Sequence, residues 1–286
     1  MASSIRESES APVRVELMRL RRNLSLGLGG ALVAILILSG IFGPLIAHRD
    51  PLAIDLRMAL ARPTGGHPLG CDSLGRDMLA RLMYGARLSL AVSISVVALS
   101  LIVGSMIGGS AALAGGRVDS IVMRFVDIVL AFPGFLLAIA LAAILGPGLT
   151  DLVIALTAMG WTGYARLVRG EVLSLREREY VQAANTLGAP PSRILLRHVL
   201  PGIAGPLAVQ ATFGVGGIIV AEASLSFLGL GVMPPTPSWG NMLDAGRAFL
   251  LVAPHLTTVP GLAIGLSVLG FNLLGDGLAP LAGRRS

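Results

Sequence analysis

The sequence predicts an all-α polytopic membrane protein, and its composition and the spacing of its charges carry the prediction. The chain has 286 residues, of which 54% are hydrophobic and only 13% are charged, and its mean hydropathy is +0.79. Soluble domains carry about 25% charged residues. The charges also leave long gaps, because 29 uncharged residues separate Arg87 from Arg117 and 28 separate Arg247 from Asp276. A helix that crosses a bilayer needs about 20 apolar residues, so the pattern argues against a soluble enzyme.

The apolar stretches predict the position of each membrane helix. We expect six transmembrane helices, at about residues 24–47, 88–114, 126–146, 150–168, 202–224 and 254–276. The fourth is the weakest, because Asp151 and Arg166 lie near its ends. Six helices place both termini on the same side of the membrane.

The remaining segments are polar or rich in glycine and proline. A basic arm, residues 1–23, is expected on the membrane surface, with a disordered tail as the alternative for residues 1–11. An extracytoplasmic loop, 48–87, follows the first helix. The five later helices form a core, 88–276, that includes a polar cytoplasmic segment, 169–200, and a cytoplasmic tail, 277–286, follows. Residues 225–253 predict a loop or a re-entrant segment.

All 22 basic residues are arginine, and this bears on both chemistry and orientation. A phosphate-binding P-loop requires a lysine, so the chain cannot hydrolyse ATP by that route. Cytoplasmic loops of membrane proteins are rich in basic residues. With both termini cytoplasmic, 15 arginines fall on the inner side and seven on the outer side. The net charge of +6 is therefore explained by the membrane, and no nucleic-acid partner is expected.

A few ionisable residues fall within the predicted spans, where they are usually functional. Asp127, Glu222, His255 and Asp276 are expected near span ends, where water relieves the cost of burial. Asp127 either serves packing or an ion pair with Arg124, or takes part in a gate. Glu222 either makes a structural hydrogen bond or lines the path of the cargo. No metal site is expected, because no second His or Cys is placed to complete one with His255.

Two pairs of glycines have the spacing that favours close helix packing. Gly104 and Gly108 lie on the second predicted span, and Gly261 and Gly265 lie on the sixth. Small residues four positions apart let two helix backbones approach each other in a membrane. We expect both pairs to act in packing rather than in function.

The polar segment 169–200 predicts two short helices separated by a break. Residues 180–187 favour a helix, Gly188 with the prolines at 190 and 191 interrupts it, and Ser192 can cap a second helix. A short helix with exposed apolar side chains suits a groove on a partner protein. An ordinary amphipathic connector is the alternative.

At this segment the chain resembles a known family. The run Gln182-Ala183-Ala184, then Gly188, then Leu200-Pro201 is similar to the EAA loop of ABC importer permeases, although Gln182 stands where Glu is usual. The run HPLGCDSLGRD at residues 67–77 resembles the outer-loop signature of the dipeptide, oligopeptide and nickel importer permeases. In this loop Asp72, Arg76 and Asp77 either order the loop or contact a binding protein.

The resemblance covers about residues 15–278 and implies a type I ABC importer permease. Such a subunit is not an enzyme. It works by alternating access with a second homologous permease, two cytoplasmic ATPase domains that hold ATP and Mg, and an extracytoplasmic peptide-binding protein. It binds no cofactor itself, and its surroundings are membrane lipid and a peptide cargo. The implied location is the cytoplasmic membrane of a prokaryote.

The resemblance also implies site residues. The ATPase-coupling loop would use Gln182, Ala183, Ala184, Gly188, Ser192, Leu200 and Pro201. The path or gate would use Asp127, Phe132, Glu222 and Asn272. Nickel or another small solute remains an alternative cargo. A proton-driven transporter and an intramembrane hydrolase are the rival classes, and the sequence offers neither mid-membrane carboxylates nor a metalloprotease motif to support them.

Overall fold

Helices make up the regular structure of residues 2–282, the part of the chain that this computed structural model describes. The α-helices are, in chain order, α1 (Ala2–Ala47), α2 (Met78–Ala114), α3 (Gly116–Ala131), α4 (Gly134–Leu145), α5 (Leu149–Leu175), α6 (Glu179–Thr186), α7 (Pro191–Ile194), α8 (Leu200–Gly202), α9 (Ala204–Phe227), α10 (Trp239–Gly246) and α11 (His255–Ala282). A π-helical turn, Leu195–Val199, joins α7 to α8, and short 3-10 turns lie at Leu56–Met58 and Arg247–Phe249. The all-α expectation therefore holds for this part of the chain.

Four helices in residues 2–282 are long and apolar enough to cross a membrane, and a bent pair of helices makes a fifth such segment if it is counted as one. Four are single helices: Arg22–Gly43 within α1, and α2, α9 and α11. The fifth consists of α3 and α4 together, which meet at an angle of 85°. The expected span 126–146 is thus divided, because Pro133 lacks the N–H that would continue a helix. The expected fourth span coincides with α5, which is not among these segments.

Two helices begin earlier than the apolar stretches suggested. The basic arm and the first span form one continuous helix, α1. Helix α2 begins at Met78, ten residues before the expected residue 88, because the side chain of Asp77 caps it by accepting a 2.8 Å hydrogen bond from the N–H of Ala80. The loop between α1 and α2, which we call the outer loop, therefore covers residues 48–77.

Helix α2 lies at the centre and packs against α1, α5 and α9, while α11 packs against α1, α9 and α10. Close contact with α5 depends on glycine. A Cβ atom on Gly104 would lie 2.5 Å from the carbonyl oxygen of Trp161, and one on Gly108 would lie 2.8 Å from the carbonyl carbon of Ala165. The expectation for this pair is confirmed. Within this chain the second pair makes no such contact, because a Cβ on Gly261 would meet only a leucine at 3.9 Å and one on Gly265 would meet nothing within 4 Å.

The segment between α9 and α11 contains helix α10 as well as loops. Ser238 caps α10 by accepting a 3.1 Å hydrogen bond from the N–H of Asn241. The indole of Trp239 is buried and donates a 2.9 Å hydrogen bond to the carbonyl of Leu82. This bond fastens α10 to the beginning of α2. The expected loop at residues 225–253 is therefore a packed cap on the ends of α2, α9 and α11.

Candidate coupling segment and translocation path

The candidate coupling segment, residues 179–202, has a tip that is exposed on the surface of the protein. Gln182 and Ala183 on α6 are exposed, and the side chain of Leu187 is 87% exposed. Gly188 follows with a φ of +76°, a conformation that favours glycine, and a Cβ added there would meet nothing within 4 Å. The predicted break between two helices is therefore present, with an apolar side chain and an open glycine at its tip.

A second face of the coupling segment is buried against the bundle. Val181, Ile194 and Val199 are all less than 5% exposed. Leu195 lies so close to α2 that a Cβ on Gly109 would be 2.7 Å from it. The segment is therefore held firmly to the end of α2 while its tip stays free.

The other expected coupling residues are distributed around this segment. Leu200 is half-buried and Pro201 is exposed, both in α8. Ser192 lies inside α7, which begins at Pro191, so the expectation that Ser192 stands before the helix as its cap is wrong. The side chains of Ala184 and Ser192 lie outside the part of the chain that the structure describes.

In the outer loop, Asp72 and Asp77 have their oxygens occupied by hydrogen bonds within the loop. Both residues are 6% exposed. Asp72 accepts hydrogen bonds from the N–H groups of Leu74 and Arg76, at 2.9 and 3.0 Å, and from the Nε of Arg76 at 2.7 Å. Arg81 of α2 approaches the same carboxylate at 3.5 Å. These contacts order the loop, the first of the two roles expected for Asp72, Arg76 and Asp77.

A chain of three side chains, absent from the sequence-based expectations, connects α1 to α2. The Nδ1 of His67 lies 2.8 Å from an oxygen of Asp77, and its Nε2 lies 3.0 Å from a guanidinium nitrogen of Arg49. Since a guanidinium can only donate, Nε2 accepts and Nδ1 carries the proton. His67 opens the outer-loop motif, so its position in the motif was the available signal.

Cys71 belongs to the same loop, and its side chain is fully buried. Burial, and after it the negative charges of Asp77 and Asp72, raise the pKa of the Cys71 thiol. The thiolate, which is the reactive form, is therefore disfavoured. Among the side chains that the structure describes, no group of three or more from His, Cys, Asp or Glu could hold a metal ion.

Two of the expected path residues lie at the junction of α3 and α4. Asp127 forms an ion pair with Arg166 of α5, at 2.5 Å, so the expectation that it pairs with Arg124 is wrong. Arg124 and Asp127 lie on the same helix, whereas Arg166 comes from the helix packed beside it. Phe132 directly follows the last residue of α3, at the 85° bend, and is 60% exposed.

The other two expected path residues lie on α9 and α11. Glu222 is completely buried, so the expectation that water relieves the cost of its burial is wrong. Its two oxygens accept hydrogen bonds from the hydroxyl of Ser89, at 2.9 Å, and of Ser226, at 3.0 Å. In this conformation Glu222 shows the structural role of the two that were expected, joining α2 to α9. Asn272 is exposed on α11.

Comparison with known proteins decides what kind of protein carries these sites. The family described as "Binding-protein-dependent transport system inner membrane component" matches residues 100–286, about two thirds of the chain. The chain belongs to this family of permeases. It is therefore a membrane component of a transport system and not an enzyme.

Named permeases resemble the chain over larger and smaller regions. The chain is 42% identical over 268 residues to the dipeptide transport system permease protein DppC of Alkalihalophilus pseudofirmus. That match covers 94% of this permease and 88% of the relative. The chain is 49% identical over 163 residues to the glutathione transport system permease protein GsiD of Shigella dysenteriae and of Escherichia coli O157:H7. That match covers 57% of this permease and 54% of each relative.

Proposed function

We propose that the chain is a translocation subunit of an ATP-driven importer of di- and oligopeptides. The relatives support peptide cargo, since one is named for dipeptides and the other for glutathione, itself a small peptide. The subunit lies in the cytoplasmic membrane of a prokaryote and pairs with a second, homologous permease. Two cytoplasmic ATPase domains hold ATP and Mg, an extracytoplasmic binding protein delivers the peptide, and this chain carries no cofactor of its own.

The proposed topology has six membrane-spanning helices with both termini cytoplasmic. It counts α3 and α4 together as one bent span, and it adds α5, the fourth span in chain order, to bring the total to six. Although Arg166 and Arg169 lie in the second half of α5, they form ion pairs with Asp127 and Asp119 of α3. Paired charges that face a neighbouring helix are the form in which ionisable side chains are tolerated in a membrane.

The shape of the coupling segment carries the proposal that partner ATPases drive this subunit. The segment presents Leu187, 87% exposed, beside the open Gly188, while its other face is fixed to the bundle. An exposed apolar side chain on a short helix fits a hydrophobic groove on a partner. Movement of an ATPase docked there would pull on the ends of α5 and α9, which flank the segment in the chain. The bundle would then alternate between inward-open and outward-open states.

The test places a charge at the tip of the coupling segment. In Gly188→Asp, the carboxylate would be buried unpaired against the ATPase, which costs several kcal/mol. We expect the purified permease pair to keep its yield, to lose co-purifying ATPases and to stop peptide uptake. Gly229→Asp is the matched control, because Gly229 also has a positive φ, of +74°, and is exposed with nothing within 4 Å, but lies after α9, away from the coupling segment. Parental ATPase binding and uptake in Gly188→Asp would remove residues 182–201 from the coupling role.

A further inference from the structure

Helix α3 buries few of its side chains against the rest of the bundle. Of its 16 residues, only Asp119 and Val126 are buried. Large apolar side chains on the same helix, such as Ile121 and Phe125, are 68% and 57% exposed. Apolar burial therefore contributes little to holding α3 against α5, which leaves its position to a few specific contacts.

The strongest of these contacts is a two-pronged ion pair. The guanidinium of Arg169 on α5 donates from Nε to one oxygen of Asp119 and from a terminal nitrogen to the other, both at 2.6 Å. A paired fork of this kind fixes direction as well as distance. Asp127 with Arg166, and the ring of Phe125 stacked 6.4 Å from that of Trp161, also join the two helices.

The pair lies between two parts of the molecule that are expected to move together. Arg169 is six residues before the end of α5 at Leu175, which is about 9 Å along a helix. The coupling segment begins four residues later, at Glu179. At its other end, α3 reaches the 85° bend at Phe132 and leads into α4.

From this arrangement we propose that Asp119 and Arg169 are positioning residues, which carry the displacement of α5 at the coupling segment into α3 and the bend at Phe132. The proposal rests on the proposed function, because it needs ATPases that move the coupling segment. Without the pair, α5 would move and α3 would lag behind it. ATP would then still be hydrolysed, but fewer peptides would cross the membrane for each ATP.

Exchanging the two charges tests this directly. Asp119→Arg and Arg169→Asp each place like charges opposite one another, and the double variant restores an ion pair with the charges exchanged. In proteoliposomes with the partner permease, ATPases and binding protein, radiolabelled dialanine uptake and ATP hydrolysis are measured together. We expect each single variant to lower the number of peptides moved per ATP by about tenfold, within the range of coupling between sites, and the double variant to recover most of it.

A structural role alone would give a different result. A misfolded permease would lose uptake and ATP hydrolysis in proportion, leaving the ratio unchanged, and that outcome overturns the proposal. So does a double variant no better coupled than the single ones, or single variants with the parental ratio. If a charge-reversal variant lowers the yield of folded protein, Asp119→Asn is measured in its place, because it keeps the shape of the side chain. The same loss of coupling is expected.

A second measurement does not depend on cargo or ATPases. Spin labels at Ile121 on α3 and Ser174 on α5, both exposed, report the distance between the helices after the buried Cys71 is replaced by serine. The parent and the double variant should give one narrow distance distribution, and the single variants a broad or shifted one. A parental distribution in the single variants contradicts the proposal. If the parent transports no dialanine while the distributions behave as expected, the cargo or drive of the proposed function has failed, and not the positioning by this pair.

Discussion

The packing of α2 against α5 gives the most sharply defined prediction about stability. In Gly108→Ala, the new methyl group would lie 2.8 Å from both the Cα and the carbonyl carbon of Ala165. Carbon atoms pack best at about 3.5–4.0 Å, so the two helices must move apart by about 1 Å. The two backbones are also close at Gly104, where an added Cβ would lie 2.5 Å from the carbonyl oxygen of Trp161.

The size of the effect follows from the kind of atoms in contact. The obstructing atoms belong to backbone, which cannot rotate away as a side chain can. Overpacking of this kind costs about 1–3 kcal/mol, and a loss near 2 kcal/mol lowers the ratio of folded to unfolded protein about 30-fold. We therefore expect Gly108→Ala to unfold at a clearly lower temperature than the parent.

The assay compares two identical substitutions in apolar helices. Thermal unfolding in detergent is followed for Gly108→Ala and for Gly265→Ala on α11, where a Cβ would meet nothing within 4 Å. The second substitution should be neutral or slightly stabilising, because alanine favours a helix by about 1 kcal/mol relative to glycine. Equal melting temperatures in the two variants, or a more stable Gly108→Ala, would refute the packing of α2 on α5 as described.

Three further predictions concern the buried polar groups. Ser89→Ala should destabilise the permease by about 1–3 kcal/mol, because it leaves an oxygen of the buried Glu222 without its donor. Thermal unfolding measures this loss. The control is Ser110→Ala, which changes an exposed serine at the other end of α2. Asp77→Ala removes the cap of α2 and should cost about 1 kcal/mol, and an unchanged melting temperature would contradict this. Cys71 should resist alkylation at pH 8 until the protein unfolds, since burial raises its pKa; rapid labelling of the folded permease would show otherwise.

Much of the fold could be predicted because apolar runs of about 20 residues have few alternatives to a membrane helix. The run that became α9 was located within three residues at each end, and the beginning of α11 within one residue, although α11 continues six residues beyond the expected end. The beginning of α2 was missed, because Arg81 and Arg87 interrupt the apolar run and the start of the helix is fixed by a cap at Asp77. The division of the third span at Pro133 was missed for a related reason, since a proline inside an apolar run allows either a kink or a break.

The candidate sites were predictable as motifs but not as contacts. The break at Gly188 followed from glycine and proline, which act locally. The partner of Asp127 did not, because Arg166 lies 39 residues away and its proximity depends on how α3 crosses α5. The burial of Glu222 between Ser89 and Ser226 likewise depends on the packing of α2 with α9, which spacing along one helix does not contain.

The most direct test of the central claim is peptide uptake by the reconstituted transporter. Proteoliposomes contain this permease with its partner permease and ATPases, hold ATP on the ATPase side, and receive the binding protein and radiolabelled dialanine on the other. The account predicts uptake that requires ATP, the binding protein and the ATPases, and that survives collapse of the proton gradient. Uptake by the permeases alone, driven by a proton gradient and indifferent to ATP, would contradict it.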